Sequence, residues 1–196
     1  DFEGELRDKR LVSRAEKLVS ALVVSRTSSI HGSTNSEATQ KGFYRFLENE
    51  NVSEEELISS LTNRCKRNVL GKDVLVIQDT SSYGLGHLKE SIEEDSGLGL
   101  VGNKTGLGFL SHVSVVLDAH AEDMLGFSDV QLWHRKEDKS NNTTRIYKQQ
   151  PIQEKESYKW IKASENSKTL LSEASSITII EDREGDIYDQ FCMVPD

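Results

Sequence analysis

Residues 74–81 read Val74-Leu75-Val76-Ile77-Gln78-Asp79-Thr80-Ser81, and the pattern that begins at Val74 decides the fold. Val74 to Ile77 form a continuous apolar run rich in β-branched side chains, which predicts a short strand buried on both faces. Asp79 follows that strand directly. A second juncture of the same kind comes late in the chain, where Ser176-Ile177-Thr178-Ile179-Ile180 predicts another strand and Asp182 follows it. Between the two, His112 to Asp118 reads as a strand, Asp123 to Gly126 as a turn, and Phe127 to Trp133 as a third strand pairing antiparallel with the second. Seven of the 13 glycines fall between Gly84 and Gly108, which predicts a loop or irregular hairpin there. Residues 135–153 are polar and contain Pro151, which predicts a loop. Gln153 to Ala174 then reads as a helix, with Trp160, Ile161, Leu170 and Leu171 facing inward.

Upstream of Val74 the chain reads as helical. Leu11, Ala15, Leu18 and Leu22 recur at helical spacing, which predicts an amphipathic helix over residues 8–24. Arg10, Arg14 and Lys17 lie at i, i+4 and i+7, so they share another face of it. That face is either a solvated surface or a stripe that contacts phosphates. Residues 27–35 read as a loop, and a second helix is expected from Ser36 to Asn49. It carries Lys41, Phe43, Tyr44, Arg45 and Phe46, with the aromatic residues expected in a core and Arg45 free to project outward. Ser53 and Glu56 form a capping box, with Val52 and Leu57 as the hydrophobic staple, so a third helix should start there and run to Asn68. The order of elements predicts a helical region over residues 1–70, then an α/β region with a mixed sheet over residues 71–196.

Composition narrows the class. A chain of 196 residues with 35% hydrophobic side chains is large enough for a true core. No apolar run approaches the length of a membrane span, so no membrane is expected as a partner. The chain opens at Asp1 without methionine or a signal peptide, which suggests a processed or excised segment. The net charge of −9 hides a basic head, because residues 7–26 hold Arg7, Lys9, Arg10, Arg14, Lys17 and Arg26 against Asp8 and Glu16. The body is acidic, with Glu90, Glu93, Glu94 and Asp95 in one short run. Cys65 and Cys192 fit no zinc spacing and read as free thiols in a reducing compartment.

Asp79 and Asp182 are the candidate chemistry. If their strands are adjacent and parallel, both carboxylates lie at strand carboxyl ends, where open α/β sheets place their sites. Carboxylates meeting there repel unless a cation neutralises them, and Mg²⁺ is the natural partner of aspartate oxygens. Such ions serve phosphodiester chemistry by activating the attacking oxygen and stabilising the leaving one. The competing reading of each aspartate alone is a turn or a helix cap. His112 and His134 read as structural, since no His/Cys cluster has zinc spacing. Neither a nucleophile elbow nor a phosphate-binding glycine loop is present.

Several stretches, in order, resemble cut-and-paste DDE transposases of the insertion-sequence-four family. These are Asp8-Lys9-Arg10-Leu11 with Arg14, Glu37 to Phe46 with its Tyr44-Arg45-Phe46, Asn51-Val52-Ser53, and Val76-Ile77-Gln78-Asp79-Thr80-Ser81. Gly97-Leu98-Gly99, Gly126 with Trp133, Glu154 to Ser157 with Lys159-Trp160, and Asp182 to Ile187 continue the series. Ser81 stands where the family usually has a second threonine. The resemblance implies an α/β fold, with a helical DNA-binding region followed by a truncated RNase H-like mixed-sheet core. It implies that Asp79 and Asp182 are catalytic and hold Mg²⁺, with Mn²⁺ as a substitute. Thr80, Arg183, Glu184 and Asp186 would support them. Arg10, Arg14, Lys17, Lys41, Arg45 and Lys104 would contact double-stranded DNA at transposon ends. In the family, metal-activated water nicks one strand, the freed 3′-hydroxyl attacks the opposite strand to give a hairpin, hairpin opening releases the element, and the 3′ ends attack target DNA. Members are bacterial, cytoplasmic and nucleoid-associated, and act as dimers on DNA. The third ligand, a glutamate, is expected beyond Asp196, so this chain alone is expected to be inactive. The alternatives are a non-catalytic DNA-binding fragment or regulatory remnant, and an acidic α/β domain with another partner.

Overall fold

The computed structural model describes Phe2, Leu6 and residues 8–87, 96–101, 106–121, 123–135 and 150–194. The chain divides into two compact units, Asp1–Arg64 and Cys65–Asp196. The division falls inside the third helix, ahead of the residue-70 boundary expected from sequence, because Cys65 and Val69 are buried in the second unit's core.

The first unit is helical. Helix α1 (Lys9–Ser25) starts where the Asp8 carboxylate accepts the Arg10 backbone N–H, and it ends at Arg26 in the left-handed region with φ 51°. Helix α2 (Glu37–Leu47) starts at Ser36, whose side chain accepts from the Thr39 backbone N–H. Helix α3 (Glu54–Asn68) starts with the capping box expected from sequence. The Ser53 hydroxyl accepts from the Glu56 backbone N–H, and the Glu56 carboxylate accepts from the Ser53 N–H, both at 3.1 Å. A cap of this kind contributes about 0.5–2 kcal/mol to helix stability. Ala15, Leu18, Phe43 and Phe46 form the buried core, and the staple pair Val52 and Leu57 both pack against it. Tyr44, by contrast, is 44% exposed, so only the two phenylalanines of that aromatic group are core. The helix turns Tyr44 off the buried face that Phe43 and Phe46 share, three residues apart.

The second unit is a mixed sheet with helices. Its elements are β1 (Asp73–Gly84), β2 (Gly99–Val101), β3 (Gly106–Asp118), β4 (Met124–Trp133), α4 (Tyr158–Leu170), β5 (Ser176–Ile180) and α5 (Tyr188–Met193). The strand order is β2-β3-β1-β5, with β4 also on β3. The β3–β4 pair is antiparallel as expected, and β1 pairs β5 in parallel. Two expectations need correction. Strand β1 runs on to Gly84 because β3 begins as early as Gly106 and pairs it along its whole length, up to Gly84↔Gly108. Gly108 permits that pairing, since a Cβ there would collide with the Tyr83 carbonyl oxygen. Helix α4 begins at Tyr158 and ends at Leu170, inside the expected bounds. Lys155 is extended at φ −92° and ψ 145°, which separates α4 from a single 3-10 turn at Ile152–Glu154.

Strand alternation sets the two faces of the sheet. Val74, Val76 and Gln78 are buried, whereas Ile77 and Asp79 are exposed. The buried side meets α4, whose inward face is Trp160, Ile161, Ala163, Ser164 and Ser167. Val74, Val76, Val116, Leu125 and Leu171 form the core there, with Ile177 and Ile179 packed against it.

Candidate functional site

Asp79 lies inside β1, paired across the sheet with Val113, and not at a strand end as the apolar run suggested. It does lie just past the end of the parallel ladder. That ladder closes with Ile77↔Ile180, two residues before each aspartate. Asp79 and Asp182 therefore each follow a member of the last parallel pair, at the same end of the β1–β5 ladder. Both are exposed. Asp182 follows β5 in a tight turn, in which its Oδ1 accepts the Glu184 backbone N–H at 2.7 Å. The turn-capping role weighed for Asp182 is thus real, and it leaves Oδ2 and further lone pairs for another partner.

The supporting residues from the sequence distribute as follows. Thr80 points to the α4 side, with its Oγ1 2.9 Å from His112 Nδ1. Asp186 lines an open cleft of about 790 Å³ together with Asp182, Glu181, Gln190 and Phe191. Arg183 is exposed in the turn. The Glu184 carboxylate reaches away to Lys159, 3.6 Å from its Nζ. That ammonium sits 5.7 Å from the Trp133 ring centre and 5.5 Å from that of Trp160, so a nearly buried cation stands beside this loop.

Residues that sequence reading did not single out as functional lie beneath the aspartates. Gln78, Ser164 and Gln190 are buried and joined by hydrogen bonds, and Glu181 joins them. Desolvation raises the Glu181 carboxyl above its ordinary range, against the hydrogen bonds from Ser164 and Gln190. His112 is the structural core histidine expected of it. Burial, with help from the Lys159 charge, pushes its pKa down to about 4, against the opposing pull of Asp182. One signal was available in the sequence, since alternation turns the polar Gln78 inward between Ile77 and Asp79.

The donor set suits a divalent cation of a particular kind. Aspartate oxygens are the hard ligands Mg²⁺ prefers, and Mg²⁺ is commonly held by one or two carboxylates, completing its shell with water and substrate phosphate. Among the described residues, no group of three or more His, Cys, Asp or Glu side chains gathers closely enough to cage an ion. Asp79 and Asp182 are exposed carboxylates of the kind Mg²⁺ prefers.

The basic residues collect in the first unit. Lys9, Arg10, Ser13, Arg14 and Lys17 line one groove of about 390 Å³ on α1. Arg14 is half-buried because its guanidinium lies against Gly42 of α2, where an added Cβ would come within 2.5 Å of Nη1. Lys41 and Arg45 are both exposed and stand one turn apart on α2. Lys104 lies outside the described residues. No described helix is long and apolar enough to cross a membrane. Residues 3–52, which span α1 and α2, match the family model described as transposase DNA-binding, so the N-terminal unit is similar to the DNA-binding part of a transposase.

Proposed function

We propose that this chain carries the end-binding region and two metal-binding carboxylates of a DDE transposase of the insertion-sequence-four type, on an RNase H-like core. The observation that supports the catalytic half is the parallel pairing of β1 with β5, whose last pair, Ile77↔Ile180, lies two residues before each aspartate. The match over residues 3–52 supports the DNA-binding half. Mg²⁺ or Mn²⁺, when bound, would activate the attacking oxygen and stabilise the leaving one at a phosphodiester. Asp79 and Asp182 would hold the ion and leave its remaining positions to water and DNA phosphate. The Glu184 backbone N–H would fix the Asp182 carboxylate in orientation. Arg10, Arg14, Lys17, Lys41 and Arg45 would neutralise phosphates of duplex DNA, which sets register on the DNA without specifying sequence.

Salt dependence tests the DNA half. Arg10→Ala combined with Arg14→Ala should weaken binding to a mixed-sequence duplex. It should also flatten the slope of log K against log salt by about 1.8, from two lost phosphate contacts. An unchanged slope would take the α1 groove out of the DNA interface.

A further inference from the structure

The β1–β5 ladder ends at Ile77↔Ile180, so no backbone pairing holds Asp182 beside Asp79. A line of buried and half-buried polar side chains spans that gap. Thr80, directly after Asp79, has its Oγ1 2.9 Å from His112 Nδ1. The His112 ring is fully buried and meets Trp160 edge-on at 4.5 Å. Its lowered pKa leaves it neutral, with a proton on one nitrogen only. Nε2 faces Gln78 Oε1 at 3.4 Å, an atom that can only accept, so the proton sits on Nε2 and Nδ1 accepts from Thr80. Gln78 Nε2 donates to Ser164 Oγ at 3.0 Å, and Gln190 Nε2 donates to the same oxygen at 2.8 Å. The Ser164 hydroxyl gives its proton to Glu181 Oε1 at 3.4 Å, which also accepts from Gln190 Nε2 at 2.5 Å. Gly185 packs onto the other Glu181 oxygen, leaving no room there for a Cβ.

Along this line each donor points the same way, from Thr80 to the Glu181 carboxylate. Gln78 and Thr80 flank Asp79, and Glu181 precedes Asp182. Ser164 is where the two halves meet. We propose that this relay, with Ser164 as its hub, is the positioning device that sets the spacing of Asp79 and Asp182 for a cation. The role rests on reading those aspartates as metal ligands. Anchoring Gln78 and Thr80 toward α4 forces Asp79 to the opposite side of the strand. Anchoring Glu181 to the same helix residue fixes where the chain carries Asp182 beyond the ladder. The hydrogen bonds of this network are directional and specify one arrangement, which a merely apolar contact would not, although Gln190 Oε1 is buried without a partner.

Mn²⁺ titration of the 196-residue chain, followed by electron paramagnetic resonance, tests this. Ser164→Ala should lower Mn²⁺ affinity by about tenfold, as loss of an outer-shell partner does, while thermal unfolding in chelator stays a single cooperative transition. Ser164→Thr, which keeps a hydroxyl, should recover most of the affinity. Gln78→Ala cuts the same line at another point and should match Ser164→Ala. Natural affinity in Ser164→Ala or Gln78→Ala, with Asp79→Asn strongly weakening binding, would overturn the relay and leave the metal site standing. A loss in Ser164→Ala that Ser164→Thr does not recover would also overturn it, because packing alone would then account for the loss. Unchanged binding in Asp79→Asn would overturn the metal reading and the relay's role with it.

Discussion

Asp79→Asn should lower the affinity of the chain for Mn²⁺ by about 10²-fold, because it removes one of two ligand charges beside a divalent ion at a site of intermediate dielectric. The substitution changes charge and leaves shape almost untouched. Asp79 is exposed on β1, and its backbone pairing with Val113 is independent of the side chain. The fold should therefore persist, and circular dichroism should be unchanged while Mn²⁺ binding weakens. This separates a ligand from a structural aspartate. Asp118 shows the contrast: Lys72 and the backbone N–H groups of His120 and Ala121 hold its carboxyl well below the usual carboxylate range. Replacing Asp118 would disturb the turn after β3. Natural Mn²⁺ affinity in Asp79→Asn would remove Asp79 from any metal site.

Trp160→Ala should destabilise the second unit by about 3–5 kcal/mol, the cost of truncating a large buried aromatic side chain. Trp160 is 1% exposed and lies where α4 meets the sheet. Its ring also closes over His112 and sits beneath the Lys159 ammonium. Truncation would open a cavity and let water reach His112, whose neutrality depends first on burial. Urea unfolding read by far-ultraviolet circular dichroism measures the change. A loss under about 1 kcal/mol would mean that the site collapses without a cavity, contrary to packing of this density.

The sequence disclosed what is local and concealed what is not. The capping box at Ser53 and Glu56 could be read directly, because both partners lie within one turn. Strand β5 could be read to the residue, and the antiparallel pairing of β3 with β4 could be read too, although both strands begin earlier than expected, at Gly106 and Met124. The length of β1 could not be. Its second half, from Gln78 to Gly84, is polar and ends in the glycine-rich stretch, and it is a strand only because β3 lies against it. For the same reason Asp79 read as the residue after a strand when it is a residue within one. The parallel pairing of β1 with β5 joins segments far apart in sequence, and no local pattern encodes their register. The line through Gln78, His112, Ser164 and Glu181 draws on four separate elements or loops, so only its first member, an inward polar residue, left a trace. The basic groove was easier to read, since Arg10, Arg14 and Lys17 share a helix and their spacing alone places them together.

A double-mutant cycle on Mn²⁺ affinity, with Asp79→Asn, Asp182→Asn and the pair, tests most directly whether the two carboxylates form one site. Contact between them through a shared ion predicts strong non-additivity, with the double variant binding scarcely more weakly than either single one. Additive losses would put Asp79 and Asp182 on independent ions and contradict the shared site.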